Sequence, residues 1–219
     1  MLEQITETPK TATELLGDLH PLADCIGTAT GLAALNTGAA SLQLSLVTDL
    51  PSLRSFLLSY QRQILVPVEL PAIYQAYLHC SRGKVRELIA LDQRIGQQPM
   101  LQSFASASQQ VGQNQLRRLR PLRDQRLIKR YLQAIERGEA HGWHTLVYGL
   151  VLSLYFLPLR QGLLSYTQQT TLGFISAAAG SLSLSKAQCA DLLAEIQTGT
   201  PAAINALLAV QTDPPFQIS

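Results

Sequence analysis

Apolar residues recur at intervals of three and four along most of this chain, and no segment alternates apolar with polar residues for the length of a strand. The pattern predicts helices throughout. Leu53, Phe56, Leu57 and Tyr60 stripe a helix from Ser52 to about Ile64, entered through Thr48 or Asp49 as cap with Pro51 in the first turn, and broken by Pro67. Leu70, Ile73, Tyr74, Tyr77 and Leu78 mark a second, which begins around Glu69 and Pro71 and ends at Cys80, before the turn Ser81-Arg82-Gly83. Val85, Leu88, Ile89 and Leu91 place a third between Lys84 and Gly96, and Gln97-Gln98-Pro99 starts a fourth that extends towards Arg120. Asp124 to Arg137 follows, with Leu127, Ile128, Tyr131, Leu132 and Ile135 on its core side and Gly138 as its end. His144 to Phe156 and Arg160 to about Ala179 are two central helices parted at Leu157-Pro158. Ser185 caps Lys186 to Gln197, and Pro201 to Val210 is a last short helix. The short connections make successive helices antiparallel neighbours.

The ends carry less pattern. Residues 1–10 are polar and expected to fray, and 211–219 read as a tail. Thr11 or Thr13 could cap a helix to about His20, and the Gly/Ala/Thr-rich stretch from Cys25 to Ala40 is read as helical over Ile26 to Leu35. A chain of 219 residues suits one domain with a substantial core, so the expected fold is all-α, one compact domain of about eight to ten helices over 1–219. Sparse aromatic residues and abundant Leu, Ala, Gln and Ser agree with that class.

Charge sharpens the picture at two places. Between His144 and Lys186 the only charged side chain is Arg160, so these helices must be enclosed by protein or by a partner. Their longest apolar run, Leu146 to Leu159, is 14 residues and contains Gly149 and Pro158. A bilayer-spanning helix needs roughly 20 residues, so a buried helix is the better reading and no membrane is expected. The second place is Arg117-Arg118, Arg120, Arg123, Arg126 and Lys129-Arg130, which hold seven of the seventeen basic residues. Either they solvate helix ends, where the dipole favours cations, or they form a docking patch for carboxylates. No aromatic residues interleave with them as a nucleic-acid stacking platform requires, and the net charge of +2 implies no whole-surface attraction. Three cysteines, Cys25, Cys80 and Cys189, lack any Cys-x-x-Cys spacing, and Met1 to Lys10 has no apolar core of a signal peptide. A reducing cytoplasm fits both.

Candidate chemistry is thin. His141 and His144 are three apart and could share a helix face, but no convincing third ligand accompanies them, so no metal site is assigned. His79 adjoins Cys80, yet neighbouring helical side chains diverge by about 100 degrees. No nucleophile elbow and no phosphate-cradling loop is present, so neither a catalytic residue nor a cofactor is expected.

Several segments, taken in order, carry a family resemblance. They are Val68-Glu69-Leu70-Pro71, Ala90-Leu91-Asp92, Ser106, Gly112 and Leu116-Arg117-Arg118-Leu119, then Gly142-Trp143-His144-Thr145-Leu146-Val147-Tyr148-Gly149-Leu150, and Leu163-Leu164-Ser165-Tyr166 through Ser176-Ala177-Ala178. From about Phe56 to Ile196 the chain resembles the urease accessory protein F family, an all-helical scaffold of the nickel-insertion machinery. The resemblance implies a non-enzymatic protein that dimerises, joins accessory protein D (also called H) and recruits the GTPase, accessory protein G, to deliver nickel to apo-urease. Its candidate partner contacts here are Arg117, Arg118, Arg120, Arg123, His144, Tyr148 and Tyr166. The ends depart from the family: its early motif survives at most as Gly31-Leu32, with Ala33 where an acid stands, and its late turn is reduced to Ser181 through Gln188. A helical adaptor of the same fold with other protein partners is therefore the alternative reading.

Overall fold

The protein is described by a computed structural model over residues 29–119 and 126–210. Its order is α1 (Ala29–Ser41), α2 (Leu50–Tyr60), a π-helical segment (Gln61–Glu69), α3 (Leu70–Ser81), α4 (Val85–Gly96), a 3-10 turn (Pro99–Leu101), α5 (Gln102–Arg118), α6 (Arg126–Glu136), α7 (His144–Leu154), α8 (Leu159–Ala179), α9 (Lys186–Gln197) and α10 (Thr200–Val210). No strand occurs among the described residues, and the fold is all-α. The helix expected up to His20, the frayed residues 1–10 and the tail 211–219 lie outside the described residues.

Two helix starts are written locally. Asp49 caps α2 by accepting from the Ser52 amide at 2.9 Å, and the Ser52 hydroxyl accepts in return from the Asp49 amide at 3.0 Å. Ser185 and Gln188 make the same reciprocal pair at the start of α9, at 3.2 and 2.9 Å. Each pair satisfies a donor that the first helical turn leaves free.

Pro67 does not break its helix. From Leu50 to Ser81 the backbone stays helical, and Pro67 lies inside the wider π turn that joins α2 to α3. In an α-helix its ring would strike the carbonyl four residues back, and its missing N–H would leave that carbonyl without a donor. The wider turn removes the conflict by changing the bonding partners. In the small-residue stretch, helix α1 continues to Ser41, past the expected end at Leu35.

Helix α7 is the centre of the molecule. All its residues from His144 to Leu152 are buried, with α3 and α5 packed along it and α8 following it in the chain. At the crossing with α3, a Cβ on Gly149 would stand 2.4 Å from the Ile73 carbonyl oxygen, so the two backbones meet at a distance only glycine permits. Helix α8 closes the other side against α1, α9 and α10, and uses Ala177 and Ala178 within the chain, both fully buried. The low charge of the two central helices thus follows from enclosure by the protein's own helices. The one large apolar side chain of α8 left exposed is Leu172.

Candidate functional site

Two groups of residues stand out by chemistry, one buried and one on the surface. The buried group begins with Asp92, on α4, which has no exposed surface and, among the described residues, no cation as hydrogen-bond partner. Its carboxylate accepts from the Tyr131 hydroxyl of α6 and from the backbone amides of His141 and Gly142, the last at 2.9 Å. Around it, Gln93 donates to the Glu139 carbonyl at 3.0 Å and Gln113 to the His141 carbonyl at 2.9 Å. The connection from α6 to α7 is therefore clamped from α4 and α5, with the His141 and Gly142 amides and the Glu139 and His141 carbonyls satisfied by side chains. Gly142 has φ +74°, and a Cβ on Gly112 would lie 2.1 Å from the Gly142 carbonyl oxygen. Those two glycines let α5 touch the connection directly.

Beyond the clamp, residues at the start of α7 and at the end of the π-helical segment line one small cavity. Glu69, the last residue of that segment, is buried and accepts from the Tyr60 hydroxyl at 2.9 Å. Burial raises its carboxyl from the usual 4.5 to about 7, although the Tyr60 and Tyr166 hydroxyls pull it back down. His144 is also buried, and burial pushes its imidazole from 6.5 down to about 3, so the ring is neutral. It stacks on Tyr166 at a centroid distance of 5.6 Å, and Tyr148 packs edge-on to Tyr166 at 5.0 Å. The Tyr148 hydroxyl donates to the Gly162 carbonyl at 3.0 Å, tying α7 to α8. A second set of rings, Phe56, Tyr60, Phe104 and Phe174, adjoins Glu69 through Tyr60.

Thus His144, Tyr148 and Tyr166 come together, but in the core rather than on a face. Any part they have in partner binding passes through the surface they support. His141 and His144 do not share a face either: His141 is exposed in the connection, while His144 points inward. Among the described residues no group of three or more His, Cys, Asp and Glu side chains is placed to hold a metal. Burial raises the Cys80 thiol to about 12 and lowers the neighbouring His79, which disfavours both a thiolate and an imidazolium.

On the surface, Arg117 and Arg118 are exposed in the last turn of α5, and Arg117 reaches back to Gln113 and Asn114. Arg126, Lys129 and Arg130 are exposed along α6. Arg120 and Arg123 lie outside the described residues. The turn between α7 and α8 carries Tyr155 and Phe156, and Phe156 is 91 % exposed with φ +53°. Sequence reasoning missed this residue, because an apolar run gives no sign of where one member turns outward. It also missed Glu69 as a buried group, since a glutamate ahead of a proline at a helix start is usually solvated.

What the geometry defines is an all-helical scaffold whose buried polar groups hold backbone and ring partners in place. The UreF family matches residues 47–197, more than half of the chain, and the chain belongs to that family. Its role is accordingly that of a urease accessory protein. Among curated proteins, none matches the chain significantly. No helix among the described residues is long and apolar enough to cross a membrane.

Proposed function

We propose that the chain is a scaffold of urease maturation in the cytoplasm that pairs with itself, joins accessory protein D (H) and the GTPase G, and in that assembly delivers nickel to apo-urease. The observation that carries this reading is the UreF match over 47–197, which spans the Asp92 clamp, the buried tyrosine and imidazole group, and the basic residues from Arg117 to Arg130. Arg117 and Arg118, with Arg120 and Arg123 beyond the described residues, offer guanidinium groups to an acidic partner, for which paired N–H donors suit carboxylates. His144, Tyr148 and Tyr166 fix the helices beneath, so they bear on partner binding through shape and not through contact.

The test is co-expression of the chain with proteins D and G and the urease subunits. The expected result is a complex that co-purifies on any one tagged member, and nickel-loaded, active urease that fails to form when this chain is left out. Active urease formed equally well without it would end the proposal. The match stops at 47 and 197 and leaves α1, α10 and both ends outside it, and this favours one second reading, an adaptor of the same fold with other partners. That reading requires stable complexes with other proteins and no restoration of urease.

A further inference from the structure

Where the C-terminal ends of α3 and α7 meet the start of α6, the surface opens into a pocket of about 340 Å³. Ligand pockets run from about 300 to 1,000 Å³, so this one has room for a small ligand or a few side chains of a partner. Leu127 and Ile128 of α6, with Leu150 and Leu154 of α7, give it apolar walls. Arg126 lines it as well, and no acidic side chain among the described residues does.

The polar groups narrow the occupant. The Ser81 hydroxyl already donates to the Leu78 carbonyl at 3.0 Å, and the amides of Arg82, Gly83 and Lys84 are taken up in closing the end of α3. The exposed Arg126 has no hydrogen-bond or ion-pair partner among the described residues. A helix C-terminus carries about half a negative charge, so the ends of α3 and α7 together bring about one. Against this stand the full charge of Arg126 and those of Arg82 and Lys84, on either side of the lining residue Gly83. The balance is positive. It calls for a carboxylate carried beside an apolar group, for which the guanidinium offers paired N–H donors. A cation would meet Arg126, and a nucleobase would find no aromatic ring on these walls to stack on.

The surface continues past the pocket. Tyr155 and Phe156 follow Leu154 directly in the chain, and both are exposed, Phe156 almost completely. Its φ of +53° is one that a bulky side chain rarely adopts, so the turn keeps the ring in solvent against a local backbone preference. Aromatic and arginine side chains are what protein interfaces concentrate, which argues for a protein occupant over a free small molecule.

We propose that this pocket docks an acidic segment of a partner protein. An apolar side chain of that segment packs on Leu127, Ile128, Leu150 and Leu154, a neighbouring carboxylate pairs with Arg126, and Phe156 adds contact beyond the pocket. The inference rests on the reading of the chain as a scaffold for protein partners, and it gives that scaffold a docking site apart from Arg117 and Arg118.

The test is a titration of the full-length chain, with its leucine and isoleucine methyl groups labelled for NMR, with the peptide acetyl-Asp-Leu-Leu-Glu-amide. The expected result is a saturable shift of the Leu127, Ile128, Leu150 and Leu154 methyls. A peptide with Lys in place of both acids, or Ser in place of both leucines, should shift them severalfold less. Arg126→Glu should weaken binding of the acidic peptide severalfold with the helical spectrum intact, and Ser153→Trp, which puts bulk into the pocket wall, should abolish it. In the complex with proteins D and G, the same methyls should be perturbed, and Arg126→Glu with Phe156→Ser should lower recovery of a partner. The titration needs neither urease nor accessory proteins, so the pocket can fail while the scaffold reading stands, and the reverse. Each of four results overturns the proposal: methyls that ignore the acidic peptide, equal response to the Lys peptide, unchanged binding in folded Arg126→Glu, or a complex with D and G that leaves these methyls unperturbed. So do contacts in the free protein from these methyls to residues 1–28, 120–125 or 211–219, or to a second copy, since the occupant would then be the chain itself.

Discussion

Burial gives Glu69 and His144 opposite effects on the pH dependence of stability, because it opposes charge on both and one is an acid while the other is a base. Glu69 holds its proton more tightly folded than unfolded, so its contribution is full below about 4.5 and is lost as pH rises to about 7. His144 holds its proton less tightly folded, so its contribution is present above about 6.5 and is lost as pH falls towards about 3. Over the shared window the two slopes oppose each other and the parent should show a shallow profile. A Glu69→Gln variant keeps an oxygen for the Tyr60 hydroxyl and removes the ionisable group. Its stability should rise steadily with pH up to about 6.5 and should exceed the parent's at pH 8 by up to about 3 kcal/mol. Urea titrations at several pH values measure this, and parallel profiles for the two proteins would show that Glu69 is not the group responsible. Neither residue's burial was legible in the sequence: Glu69 reads as a helix-start acid and His144 as one of a histidine pair. Asp92 was equally unremarkable, because its partners are backbone amides almost fifty residues away, which no local pattern encodes.

Helix positions, by contrast, were legible almost to their ends, since spacing, caps and glycine stops act within a few residues. Ser185 before Gln188 was readable as a cap and is one. Ser185→Ala should therefore cost about 1 kcal/mol, seen as a lowered urea midpoint at unchanged slope, whereas an unchanged midpoint would make the capping bonds energetically idle. Pro67 was misread because the rule that proline stops a helix assumes α-helical bonding, and the π turn changes that bonding. Gly149 was legible only as a helix interruption. Its real constraint is the Ile73 carbonyl of α3, a backbone atom that cannot swing aside as a side chain would. Gly149→Ala raises local helix propensity by about 1 kcal/mol and should nonetheless destabilise the protein, by roughly 1–3 kcal/mol, through the forced separation of α3 and α7. A variant more stable than the parent in the same titration would mean that the two helices part without cost.

At the scale of the whole molecule, the sequence showed where apolar surface had to be covered but not by what. The low charge from His144 to Lys186 allowed either the protein itself or a partner, and the structure has the protein's own helices covering α7 from His144 to Leu152 and just over half of the residues of α8. Among the described residues, the surface open to partners includes the exposed basic side chains and exposed apolar side chains such as Phe156 and Leu172. Arg117 and Arg118 separate docking from simple solvation of a helix end. Both are exposed, Arg117 bonds the neutral amide side chains of Gln113 and Asn114 on its own helix, and among the described residues neither makes an ion pair with another element. Replacing both with Glu puts negative charge at the C-terminal end of α5, which the helix dipole disfavours by about 0.3–1 kcal/mol at each position. The fold should survive that change. If the pair docks an acidic partner, the double variant should stay folded with its helical circular dichroism intact, and recovery of accessory protein D or the GTPase on the tagged chain should fall severalfold. The loss should arise mainly in association, and added salt should weaken the parent complex while affecting the variant less, because screening acts on attraction that the variant no longer has. A folded double variant that assembles as tightly as the parent across the salt range would leave these arginines as solvated helix-end charges and move partner docking elsewhere on the scaffold.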